Sequence, residues 1–119
     1  MIDFEFILKT EHFFTNLREL SDISVLNEQL NKYFQDLENK LALNENRKPA
    51  TIQIEVISDD LSPEEPYYEL LNNEIHLQYN RYTNPAEFFI SYYHESIHSG
   101  QTYSSDISKE QRKLYEISQ

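Results

Sequence analysis

The sequence predicts an α+β domain, a small antiparallel or mixed sheet packed against helices. Three observations lead there. Apolar residues recur at spacings of three and four through 10–21 and again through 23–43. Residues 51–57 alternate cleanly and are rich in β-branched side chains. Two short strand-like runs then precede a return to helical periodicity at residue 84. The order is helix, helix, strand, hairpin, helix, helix. No linker or repeat divides the chain, so residues 1–119 read as one domain, with a helical part over 1–48 and the sheet plus remaining helices over 49–119.

Residues 2–8 fit either a short strand or the start of a helix. From Thr10 onward Phe13, Phe14, Leu17 and Leu20 share one side, and the helix ends near Ser21. The next helix, over 23–43, carries Ile23, Leu26, Leu30, Tyr33, Leu37 and Leu41 as its stripe, widened by Phe34. Ser21, Asp22 or Ser24 is suited to cap it. Its stripe favours covering a sheet over forming a coiled coil. Residues 44–49 are a polar loop. The strand over 51–57 turns Ile52, Ile54 and Val56 inward. Residues 58–66 form an acidic, proline-punctuated surface connection. Residues 67–71 and 74–79 flank Asn72 and Asn73, which tolerate positive φ, so this pair predicts a tight hairpin. Ile75, Leu77 and Tyr79 point one way, His76 and Gln78 the other. Ser108 and Gln111 suggest a capping box for a last helix over 109–118, with Leu114 and Ile117 inward.

Composition narrows the function classes. Nine Tyr and seven Phe supply core area despite a 39% hydrophobic fraction. There is no Cys, so any zinc must be held by His and carboxylate. No run of eighteen apolar residues predicts a membrane span, and the N-terminus lacks a signal-peptide pattern, which suggests a cytoplasmic protein. The net charge of −11 disfavours direct nucleic-acid binding. The acidic residues are dispersed, which suits a soluble surface better than nucleic-acid mimicry, and an acidic surface is also suited to a protein partner.

The chemistry concentrates in residues 92–100. His94, Glu95 and His98 spell H-E-x-x-H. On a helix, residues four apart project from one face, so two imidazoles can reach one metal ion. Glu95, rotated by about 100°, sits beside that ion as a candidate general base. Asn84 as N-cap, Pro85 at the first position and Glu87 at N3 open this helix, and Gly100 is placed to follow its end near 99. Glu87, Ser91, His94 and His98 form one polar strip. Ala86, Ile90, Tyr93 and Ile97 lie to one side, suited to packing on the sheet. The competing reading is a helix whose histidines merely face water.

Catalytic zinc takes three protein ligands and an open position. No histidine follows His98, and Gly100 stands one position early for the longer metzincin arrangement. The third ligand would be a downstream carboxylate: Glu116 first, with Glu110 and Asp106 as alternatives. Tyr92, Tyr103 and His76 are candidate oxyanion donors. The strand over 74–79, read as an edge, would pair with an extended peptide. His12 reads as a surface residue.

Residues 73–77 (Asn-Glu-Ile-His-Leu) followed by 85–100, from Pro85 through His94-Glu95-Ser96-Ile97-His98 to Gly100, resemble the zincin-like metallopeptidases. The likeness runs over about 73–119 and is nearest to the peptidase-like domain of ArdC antirestriction proteins, with the ImmA/IrrE-type peptidases more distant. It implies a zincin-like fold with the H-E-x-x-H on the active-site helix. It implies Zn2+ held by His94, His98 and Glu116, Glu95 as general base, and a peptide or protein substrate cleaved through a metal-activated water. The alternative is a non-catalytic acidic interaction protein of mobile-element or phage type on the same scaffold.

Overall fold

A computed structural model describes residues 4–20 and 22–103. Helix α1 spans Phe4–Arg18, so the ambiguous N-terminal stretch is helical from Phe4 onward. Helix α2 spans Ile23–Asn44. Asp22 caps it, its Oδ1 accepting from the amides of Ser24 at 2.9 Å and Val25 at 3.4 Å. α1 lies against α2 through Phe13, whose ring stacks on Tyr33 with centroids 3.9 Å apart. The predicted last helix over 109–118, with Glu110 and Glu116, lies outside the described residues, as does Asp106.

The strands are β1 (Thr51–Val56), β2 (Tyr67–Glu69) and β3 (Glu74–Tyr79), in the order β1-β3-β2. β1 runs parallel to β3, Thr51 opposite Glu74 and Val56 opposite Tyr79. β2 and β3 form an antiparallel hairpin as predicted, but Glu69 pairs with Glu74, so residues 70–73 make the connection in place of the tight turn expected at Asn72-Asn73; Asn73 adopts φ 53° there. The strand over 74–79 is therefore the central one, not the edge expected from sequence. The order of hydrogen bonding follows from the parallel pairing of β1, which nothing in a period-two pattern specifies.

The described helices cover one face of the sheet. Ile52, Ile54, Ile75, Leu77 and Tyr79 point into a core shared with Phe14, Leu26, Leu30, Phe34, Phe88 and Tyr92. Val56, expected inward, is half-buried. The other face carries Gln53, Glu55, Glu74, His76 and Gln78, and none of the described helices covers it. The result is a small α+β fold with a mixed sheet. No helix among the described residues is long and apolar enough to cross a membrane.

The buried line of α2 is Leu26, Leu30, Phe34, Glu38 and Ala42. It is displaced from the stripe expected through Ile23, Tyr33, Leu37 and Leu41: Ile23 is exposed and the other three are half-buried. One reason is that a second row of side chains on α2 has a different task. β1 is an edge strand, and its outer backbone groups need partners. Asn27 Oδ1 accepts from Val56 N at 3.2 Å and Asn31 Oδ1 from Ile54 N at 2.8 Å. Gln35 Oε1 accepts from Ile52 N at 2.8 Å, and Glu38 Oε2 from Ala50 N at 2.7 Å. Asn31 Nδ2 and Gln35 Nε2 donate back to the carbonyls of Ile54 and Ala50, each at 2.9 Å. Helix side chains spaced by three or four thus meet every second residue of the strand, doing the work of a missing neighbour.

Asn31→Ala removes two of these bonds and should destabilise the protein by about 1–3 kcal/mol in urea unfolding. Gln29→Ala, on the exposed side of α2, should stay within about 0.5 kcal/mol. Equal effects of the two substitutions would mean the ladder contributes nothing to stability.

Candidate metal centre

Helix α3 spans Pro85–Tyr103 and carries the H-E-x-x-H. Asn84 caps it as expected, its Oδ1 accepting from Ala86 N at 2.9 Å and Glu87 N at 3.3 Å. The helix runs through Gly100 instead of stopping before it. Gly100 has no positive φ, and a Cβ built there would meet Arg47 Cδ at 3.5 Å, an ordinary contact. Neither backbone nor space requires a glycine, so it carries no stop signal here.

The rotation of α3 differs from expectation. Ile90, Tyr93 and Ile97 do not pack on the sheet; they are 65%, 40% and 47% exposed, and Ala86 is exposed too. The buried sector is Phe88, Tyr92, Glu95, Ser96, Ser99 and Thr102. Hydroxyls enter the core because buried partners await them. Glu38 is fully buried and forms a two-point ion pair with Arg47, Nη1 to Oε2 at 2.6 Å and Nη2 to Oε1 at 3.1 Å. Tyr92 Oη donates to Glu38 Oε1 at 2.7 Å, and Arg47 Nη2 donates to Ser96 Oγ at 2.7 Å. Ser99 Oγ donates to Asn73 Oδ1 at 2.7 Å, which Tyr68 Oη also meets at 2.6 Å. Buried polar groups with full sets of partners are affordable. Sequence reading missed Glu38 and Arg47 as core residues, since a charge on an amphipathic helix ordinarily faces water.

This rotation puts the polar strip on the flank of α3. His94 is exposed and His98 half-buried, their rings 5.1 Å apart at 82°. Glu95 is 7% exposed, the most enclosed of the three. Beyond His98 stands Tyr68 of edge strand β2, the rings 6.4 Å apart and nearly parallel. Toward the N-terminus, Glu87 and Ser91 line a hollow of about 590 Å3 beneath the 59–66 connection; neither histidine lines it.

The donor set fits one ion in part. Two imidazoles one helical turn apart with neighbouring rings suit zinc. Among the described residues no third His, Asp or Glu gathers with them, and Glu116 lies outside that range. Two of the candidate oxyanion donors are excluded by position. Tyr92 is fully buried with its hydroxyl engaged by Glu38. His76 is on the face of the sheet opposite α3. The side chain of Tyr103 is not among those described.

No protein family, curated protein or solved structure matches the chain.

Burial, reinforced by the charge and hydrogen bond of Glu38, raises the Tyr92 phenol well above its ordinary value. Burial likewise raises Tyr79, whose hydroxyl has no hydrogen-bond partner among the described residues. For Arg47, burial alone would lower the pKa, but the hydrogen bonds and charges of Glu38 and Glu45 outweigh it, so the guanidinium stays charged. A phenol raised in the fold gives stability that is complete below its unfolded pKa, about 10, and that falls as pH rises, because the unfolded chain sheds a proton the fold retains. Denaturation at stepped alkaline pH should therefore show stability falling above about pH 10. Tyr92→Phe should make that fall shallower by roughly 1 kcal/mol per pH unit. An unchanged slope would show that Tyr92 ionises freely in the folded protein.

Proposed function

We propose that the protein is a zincin-like, zinc-dependent metallopeptidase, with His94 and His98 as zinc ligands, Glu95 as general base and Glu116 as third ligand. The observation that carries it is the pair on α3: two imidazoles one turn apart on one flank, rings 5.1 Å from each other, with the buried residue Glu95 following His94 in the motif. Zinc, when bound, supplies Lewis acidity that polarises a carbonyl and acidifies water. Glu95 then accepts a proton from the attacking water and returns it to the departing amine. β3 is the central strand, so it does not serve as the peptide-pairing edge expected from sequence; β2, the strand that borders His98 through Tyr68, lies outside it.

A second reading keeps the scaffold without catalysis: an acidic interaction protein of mobile-element or phage type. The net charge of −11 and the exposed Ile90, Tyr93 and Ile97 favour it.

Metal analysis of the purified chain beside His94→Ala, His98→Ala and Glu116→Ala tests the ligand set. One zinc per chain should depend on both histidines, and Glu116→Ala should reduce it. Zinc content indifferent to both histidine substitutions would remove α3 as the metal site. Glu95→Gln should keep the zinc and lower peptide hydrolysis by about 100-fold or more. Bound zinc with no hydrolysis of a peptide mixture by the unmodified protein would favour the interaction reading.

A further inference from the structure

The face of the sheet that no described helix covers holds a second set of metal-ligating side chains, across the sheet from α3. Glu69 of β2 and Glu74 of β3 are direct partners in the antiparallel ladder, and Tyr67 is paired with His76 in the same way. His76 Nε2 lies 2.9 Å from Glu74 Oε2 and 3.6 Å from Glu69 Oε2. One ligand atom from each of the three residues falls within 4.8 Å of the others. Ligands about 2.1 Å from a shared ion stand roughly 3.0–3.4 Å apart in octahedral or tetrahedral geometry. The separations at His76 are close to those of a shared ion.

The set is held in position. The Tyr67 ring stacks on the imidazole, centroids 4.5 Å apart and planes within 6°, which orients the ring. Asn72 Nδ2 donates to Glu69 Oε1 at 2.7 Å, leaving Oε2 toward the cluster. Support of this kind by outer partners is what metal ligands require. Two glutamates directly opposite in a ladder repel each other, and a cation between them converts that cost into attraction. All three ligands are half-buried, so desolvation strengthens the attraction without closing the site. Beside His76 a hollow of about 280 Å3, lined also by Glu55, Glu64 and Glu65, leaves space for water or an external ligand in the remaining positions.

The geometry points to a divalent transition-metal site formed by Glu69, Glu74 and His76. One imidazole with two carboxylates suits zinc or manganese. The site is independent of the α3 pair, and its test is built to stay so.

The full chain carrying His94→Ala and His98→Ala leaves only His12 and His76 as imidazoles. Titration of this variant with Zn2+ should show one saturable ion per chain by calorimetry. The His76 ring resonances should shift in step while those of His12 stay still. The same resonances can be followed in the unmodified chain. Adding His76→Ala or Glu69→Gln should weaken binding at least about tenfold, since even outer partners contribute 10- to 100-fold. Asn72→Ala should weaken it by about tenfold and keep the stoichiometry. Circular dichroism checks that each variant is folded. Absence of saturable binding, or binding indifferent to His76→Ala and Glu69→Gln, overturns the site. So does a His76 resonance that responds to pH but not to Zn2+, which would make the cluster a protonated imidazole between two carboxylates.

Discussion

The carboxylate of Glu38 joins the layers of this molecule. It accepts two N–H groups of Arg47, the amide of Ala50 at the entry to β1, and the hydroxyl of Tyr92 on α3. Helix α2, the connection after it, the sheet and α3 therefore meet at one side chain. Taking a carboxylate and a guanidinium out of water costs several kcal/mol each, and only good geometry with full hydrogen bonding offsets this. Both conditions hold, because the remaining N–H groups of Arg47 go to Glu45, to Ser96 and, at 3.4 Å, to Ser99 Oγ and the Lys48 carbonyl. Losing one partner would leave a buried charge uncompensated, a defect worth about 3–5 kcal/mol.

Glu38 is also the last rung of the ladder that closes the free side of β1. The two edges of the sheet are managed differently. β1 has six residues, long enough to recruit another strand, and α2 occupies its outer hydrogen-bonding groups from Asn27 to Glu38. β2 has three residues, too short for a strong template. The long strand is thus the one whose edge the helix covers. The same helix thus packs its apolar line into the core and caps a strand with its amides. A helix with one apolar stripe would do only the first.

Much of this order was legible in the chain. The periodicities of α2 and β1, the pairing of 67–69 with 74–76 as a hairpin, with a longer turn than the one expected at Asn72-Asn73, and the Asn84 cap are local signals that appear in the structure. The parallel pairing of β1 with β3 is not local, so the central position of β3 could not be read from its own alternation. The amides at 27, 31 and 35 do recur every four residues beside the apolar stripe, and that spacing was the available clue to the ladder. Glu38 and Arg47 gave no such sign, because their burial exists only through each other and through Ser96 and Tyr92. At the candidate site, His94 and His98 fall together on one flank as helical spacing requires. The Glu69–Glu74–His76 cluster depends on cross-strand register, which becomes available only with the hairpin in place.

The rotation of α3 shows what the polar core decides. Two faces of this helix compete for the sheet. Ala86, Ile90, Tyr93 and Ile97 form the more apolar one, and burial of apolar area alone would turn it inward at about 25 cal/mol per Å2. The other face offers Phe88 and Tyr92 together with Ser96, Ser99 and Thr102, and it is the one buried. Turning α3 by roughly 160° to exchange them would strip Tyr92 and Ser96 from Glu38 and Arg47 and leave that buried pair short of partners. Polar contacts therefore select between two apolar solutions, the role for which buried ionic groups are best attested. The consequence reaches the histidines. Even a one-residue turn, about 100°, would carry His98 and Glu95 off the flank of α3 and away from Tyr68. The placement of the candidate metal ligands thus rests on residues 38 and 47, which touch no part of the H-E-x-x-H motif except the serine between its charged positions.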